Sequence, residues 1–271
     1  MINPLLWLEL RVRVRERRLW VVALFYLLVP LLVCLLGMAM MLQDQALVDP
    51  AEVGMMIAMG AIFCQAGLLI LLAPLAAAQR IAQEREQRTL PALVNSPLRP
   101  AAMARGKLAG AVIFTFWLGL LTLPLLVAAA LWGGFPMWAL GLCCGLNLLA
   151  GMTLSSLALG LSGLFGRSLS AYLAVGALLF FWCLALPAIG GLVMGLIEAG
   201  WSPGSAKTVF SLFFLHHPLA PQIWTVMRAG GEPATYTEWG LWVPLTGLGS
   251  WALLAWIGFR AAGRGLGREV V

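Results

Sequence analysis

Apolar residues in this chain fall in six long blocks: Trp20 to Met41, Val53 to Ala78, Leu108 to Trp132, Met137 to Phe165, Ser168 to Ile197 and Trp239 to Ala262. Each block reaches the roughly 20 residues that an α-helix needs to cross about 30 Å of hydrocarbon. The pattern predicts an all-α integral membrane protein with six transmembrane helices. Ahead of the first block, Asn3 and Pro4 followed by Leu5, Leu6, Trp7, Leu8 and Leu10 predict a helix in the membrane interface within residues 1–19. Beyond it, Arg11-Val12-Arg13-Val14-Arg15 alternates with period two, which would spread arginines around a helix rather than along one face. The first block is too long for a removable signal and no small-residue cleavage site follows it, so it reads as a retained signal anchor.

The polar stretches between blocks are unequal. Residues 43–52 and 133–136 are short turns, whereas 79–107 forms a large charged loop, 198–238 a long connection, and 263–271 a tail. Within the long connection Val209 to Leu215 is apolar but too short to cross. His216, His217 and Pro218 follow it, predicting a segment that dips into the outer leaflet or lies on it. Prolines inside five blocks (Pro30, Pro74, Pro124, Pro187 and Pro244) and small residues such as Gly141, Gly145, Ser156 and Gly160 predict kinks and close helix packing.

Composition agrees with the pattern: 62% hydrophobic residues, 10% charged residues and a mean hydropathy of +0.94 leave no separate soluble core to build. Charge sets the orientation. Lys and Arg crowd the segment before the first block (Arg11, Arg13, Arg15, Arg17, Arg18), the 79–107 loop (Arg80, Arg85, Arg88, Arg99, Arg105, Lys107), Arg167 and the C-terminal end (Arg260, Arg264, Arg268). The opposite side holds only Lys207 and Arg228, so the positive-inside rule places both termini in the cytoplasm. The chain is thereby expected in the cell's inner (plasma) membrane as a multi-pass protein. The net charge of +6 is a topology signal, consistent with contacts to anionic membrane lipids and with no nucleic-acid partner.

The cysteines Cys34, Cys64, Cys143, Cys144 and Cys183 all lie within apolar blocks and lack CxxC spacing, so they read as packing residues. No metal site is expected: His216 and His217 are adjacent without a third ligand, and read as packing or hydrogen-bonding groups. The tryptophans near block ends, such as Trp20, Trp132 and Trp239, fit an aromatic belt. No Asp, Glu, Lys, Arg or His occupies the middle of a block, and the deepest polar groups are Gln65 and Asn147. A proton- or sodium-coupled transporter needs ionisable groups at that depth, so any uphill movement takes its energy from elsewhere, and Gln65 and Asn147 are candidate polar groups of a pathway. The segment Gly204-Ser-Ala-Lys207-Thr208 is a poor phosphate-binding loop, since no glycine precedes the lysine and no strand feeds it.

The charged loop reads Gln79-Arg80-Ile81-Ala82-Gln83-Glu84-Arg85-Glu86-Gln87-Arg88-Thr89-Leu90-Pro91-Ala92-Leu93-Val94-Asn95-Ser96-Pro97-Leu98 and reaches Gly106-Lys107 before the third block. Leu90, Leu93 and Val94 share one helical face, Pro91 suits a first turn and Ser96-Pro97 a stop, predicting a short amphipathic helix able to seat in a partner's groove. This loop closely resembles that of the type-2 ABC-transporter permeases. There it runs as an acidic pair, a Gly-Thr-Leu-Glu turn, a leucine-rich helix, Ser/Thr-Pro-Leu and a Gly-Lys entering the next span. Arg88 stands where the family has glycine and Pro91 where it has glutamate. Asn3-Pro4 with Glu9-Leu10, and Leu159-Gly160-Leu161-Ser162 through Arg167, extend the resemblance along the chain.

The resemblance implies a permease subunit of an exporter with no catalytic residues of its own. Its partners would be a second permease chain, identical or different, and two copies of a separate ABC ATPase, which binds the ATP and magnesium. It further implies that Glu84, Glu86, Arg88, Thr89, Leu90, Leu93 and Ser96 contact the ATPase through a coupling helix. The uncharged interior favours a hydrophobic or amphipathic substrate. Two other readings stand beside it: a membrane anchor or assembly factor that recruits a cytoplasmic partner, and a rhomboid-like protease built on Gly160-Leu161-Ser162-Gly163. The latter lacks a histidine in the sixth block to activate the serine.

Overall fold

The structure is a computed structural model describing Trp7, Arg11 and residues 17–43, 49–90, 100–200, 216–229 and 242–267. All regular structure among these residues is helical. In chain order the elements are α1 (Arg17–Gln43), α2 (Pro50–Ala78), α3 (Ala82–Glu86), α4 (Pro100–Leu121) and α5 (Leu123–Trp132). There follow α6 (Met137–Leu164), α7 (Ser168–Phe180), a π-helical turn over Phe181–Ala185, α8 (Leu186–Gly200), α9 (Ala220–Ala229) and α10 (Trp242–Gly267).

Five stretches are long and apolar enough to cross a membrane: Trp20–Ala39, Pro50–Glu86, Pro100–Trp132, Met137–Leu164 and Ser168–Val193. The chain is a multi-pass membrane protein. The fourth and second of these are 61% and 50% buried inside the protein, the first and fifth only 22% each, which makes α6 and α2 the centre and α1 and α7 the flanks. α10 is 26 residues long and lies outside that set of five. The expected interfacial helix falls largely outside the described residues, as do Leu93, Ser96, the 204–208 loop and the apolar 209–215 segment.

Caps and turns explain the helix ends. Asp49 caps α2 by accepting the Ala51 amide at 3.0 Å, with Pro50 in the first turn. The turn between α5 and α6 needs glycine twice over: Gly134 has φ of +79°, and a Cβ there would stand 1.8 Å from the Ala51 carbonyl oxygen. Between α6 and α10 the backbones touch, since a Cβ on Gly160 would meet the Gly258 oxygen at 2.7 Å and one on Gly258 the Ser156 oxygen at 2.4 Å. Ser156 Oγ also donates to Ala255 O at 2.7 Å. Small residues therefore set the α6–α10 spacing, as in helix pairs that approach without a hydrophobic driving force.

Two spans are interrupted, each beside a proline that the sequence marks as a kink. The third breaks at Thr122, because Pro124 has no N–H and the chain ahead of it is held by the Thr122 hydroxyl donating to Gly119 O at 3.0 Å. The fifth carries the π turn just ahead of Pro187.

Candidate functional site: the elbow between α2 and α4

At residues 79–81 a turn interrupts the helix and the chain resumes as α3, a five-residue helix that loop composition alone does not announce. A helix this short cannot hold itself together, and its polar groups are met by three neighbouring elements. At its start no side chain of its own caps the free amides. The buried Ser162 of α6 does so instead, its Oγ accepting from Ile81 N and Ala82 N, each at 3.0 Å. In return Arg85 donates to the last carbonyls of α6, at 2.6 Å to Phe165 O and 3.3 Å to Gly163 O. Glu86 accepts from the amide of Ser168 at 3.2 Å, and from its hydroxyl, at the start of α7. Those bonds hold the Glu86 carboxyl below the ordinary carboxylate range.

The fourth anchor comes from α4. Lys107 is 1% exposed, and its Nζ donates to Glu84 Oε1 at 2.5 Å and to Arg80 O at 3.3 Å. The sequence reading places Lys107 among the basic loop residues and in the Gly-Lys that enters the third block; its burial becomes legible only from its bonds to Glu84 and Arg80.

After α3 the backbone closes in a Schellman turn: Thr89 N donates to Glu84 O at 2.9 Å and Arg88 N to Arg85 O at 3.1 Å, with Arg88 at φ of +58°. Arg88 is the only non-glycine with positive φ among the described residues, and it occupies the position where the resembled family carries glycine. Arg88 thus holds a left-handed backbone conformation that glycine takes freely and arginine only at a cost.

Of the residues assigned to partner contact, Glu86, Arg88 and Thr89 are exposed on α3 and its turn, joined there by Gln83 and Gln87. Glu84 is half-buried against Lys107. Leu90 is fully buried, packed with Ile81, Met103, Ala104, Leu159, Ala262 and Leu266. It anchors the loop to α4, α6 and α10 instead of presenting an apolar surface. Ser162, the serine of the protease-like motif, is occupied as a cap, and no histidine stands among its partners.

Deeper in the bundle, Gln65 and Asn147 belong to one hydrogen-bonded chain. Gln222 Nε2 donates to Asn147 Oδ1 at 3.0 Å, Asn147 Nδ2 to Gln65 Oε1 at 2.9 Å, Gln65 Nε2 to Thr122 Oγ1 at 2.6 Å, and Thr122 Oγ1 to Gly119 O. Asn147 also reaches Ile62 O at 3.0 Å and Gln65 reaches Gly119 O at 3.2 Å. All four side chains are buried, so the chain ties α9, α6, α2 and the α4–α5 break together out of contact with solvent or lipid. Gln222 and Thr122 escape the sequence reading, because one lies in a polar connection and the other is a single hydroxyl in an apolar block.

A bundle of long apolar helices with an elbow of charged residues bound to three of them is the fold of a multi-pass membrane protein. The family described as ABC-2 family transporter protein matches residues 4–233, and the chain belongs to it. Comparison with curated proteins found no match. Members of this family are the transmembrane component of the transporter, distinct from its ATPase.

Proposed function

We propose that this chain is one permease half of an ATP-driven exporter. A second permease chain completes the pathway, and two separate cytoplasmic ATPase subunits supply the energy with their ATP and magnesium. In this reading α10 is the sixth span, since 26 residues extend about 39 Å as an α-helix and it packs along α6. The elbow end and both termini lie in the cytoplasm, following the distribution of Arg and Lys, and the chain sits in the inner membrane. The uncharged interior favours a hydrophobic or amphipathic substrate.

The observation that carries the proposal is the attachment of α3. An exposed polar face, Glu86, Gln87, Arg88 and Thr89, sits on a helix whose start is capped by α6, whose Glu86 accepts from the start of α7 and whose Glu84 is held by α4. A partner that displaces α3 displaces the ends of three membrane helices with it. Within the contact set Leu93 and Ser96 supply the remainder of the docking segment, while Glu84 and Leu90 brace it from inside.

The test is co-purification with the ATPase subunit encoded beside it, and the ATPase activity of that complex. A paired Arg88→Glu, Leu93→Asp variant is expected to lose the subunit or most of the activity while eluting as the parent does. An undiminished complex would mean the elbow is not the docking site, and failure of any ATPase to associate would favour a membrane anchor or assembly factor.

A further inference from the structure

Beyond the close approach of α6 and α10 at Gly258, a groove of about 290 Å³ is left between these two helices and α4. α4 contributes Leu108 and Val112 to it, α10 Leu248 and Trp251, and α6 Met152 and Thr153. Alanine at 252 and 255 of α10 leaves open the space that a larger side chain would fill. Thr153 stands eleven residues before the end of α6, about 16 Å along its axis, which is hydrocarbon depth. Leu149 and Ala252 also line the groove and are exposed, so at this depth it opens on the flank of the bundle. Neither Gln65 nor Asn147 lines it, which separates it from the buried amide chain.

Hydroxyls elsewhere in these spans are spent on helix carbonyls. Thr115 donates to Ala111 O at 3.0 Å, Thr122 to Gly119 O at 3.0 Å, and Ser156, one turn along from Thr153, to Ala255 O at 2.7 Å. Thr153 differs: its side chain is 7% exposed, lines the groove and makes no hydrogen bond among the described residues. Trp251, 3% exposed, likewise keeps Nε1 buried with no partner among them. A polar group left unpaired at hydrocarbon depth costs free energy that a ligand with an acceptor recovers. Lipid tails would fill the groove without offering one, and a water would find too few polar partners among alkyl walls. A molecule with an apolar frame and one accepting oxygen meets both the walls and the hydroxyl.

We propose that the groove between α4, α6 and α10 binds a small apolar molecule dissolved in the bilayer and holds its carbonyl or ether oxygen by the Thr153 hydroxyl. The site belongs to this chain alone, so it stands or falls independently of any ATPase.

The test uses benzophenone, an apolar ketone that inserts into nearby C–H bonds under near-ultraviolet light, on the full chain in phosphatidylcholine liposomes. Adducts mapped by peptide mass spectrometry are expected to concentrate at Met152, above the level at Met137, which is 68% exposed at the start of α6 and reports mere partition into the membrane. Fluorenone should compete about tenfold better than fluorene, which has the same ring frame without the carbonyl, as one hydrogen bond predicts. Thr153→Val should bring the two competitors within about twofold of each other. Ala252→Trp, which fills the groove from its rim, should remove labelling at Met152 and leave Met137 unchanged. Labelling at Met152 no greater than at Met137 would overturn the proposal, as would equal competition by the two compounds or a fluorenone preference that survives Thr153→Val.

Discussion

The elbow and the buried amide chain both join three or more helices through polar groups, yet they use different chemistry. At the elbow the groups are charged and capping: Glu84 with Lys107, Arg85 on the end of α6, Glu86 on the start of α7. In mid-bundle they are neutral: Gln65, Thr122, Asn147 and Gln222. The difference follows from solvent. Near the bundle's end an ion pair can form with one side chain still part-exposed, as that of Glu84 is, whereas at hydrocarbon depth a charge is too costly and amides, with a donor and an acceptor each, extend a network without one. The charged joint is suited to receiving force at a surface, and the neutral joint to holding helices in register.

That contrast can be broken first at Lys107. Lys107→Met leaves the Glu84 carboxylate half-buried without its cation, an expected loss of about 3 kcal/mol, at the low end for a buried pair because Glu84 keeps 29% exposure. Thermal unfolding in detergent should show it, and adding Glu84→Gln should restore most of it. Asn147→Leu removes the centre of the amide chain; the expected cost is smaller, about 1 to 2 kcal/mol, since side-chain hydrogen bonds between membrane helices are individually modest. A larger loss from Asn147→Leu than from Lys107→Met would reverse the ranking of the two joints.

Ser162→Ala strips the acceptor from two amides at the start of α3 and should cost about 1 kcal/mol, with Ser162→Thr retaining most of the stability. Faster hydrogen exchange confined to residues 80–83 would locate the effect. Smallest, and opposite in sign, is Arg88→Gly: relief of the left-handed strain, partly offset by glycine's greater freedom in the unfolded chain, should stabilise by about 0.5 kcal/mol.

The apolar blocks made the spans legible, because hydrophobic length is a local property: Pro50–Ala78 and Met137–Leu164 lie close to the stretches read from sequence. The loop motif made the family legible. Position 88 was legible too, as a residue standing where glycine is expected, and the structure supplies the reason in its φ. What sequence could not give is whatever one element does for another. α3 is stabilised by Ser162, some 80 positions away; Leu90 looked like a docking residue because helical spacing says which residues share a face but not which way the face turns. The breaks at Thr122 and Phe181–Ala185 were signalled by Pro124 and Pro187, but a proline alone does not say whether a neighbour will answer the freed carbonyl.

The central claim, that the α3 turn is where an ATPase engages this permease, is most directly tested by photo-crosslinking in the co-purified complex. A benzoylphenylalanine in place of exposed Arg88 should crosslink to the ATPase subunit, while one in place of Trp132, exposed at the opposite end of the bundle, should not. A complex that forms normally yet yields no crosslink from position 88 would contradict the account.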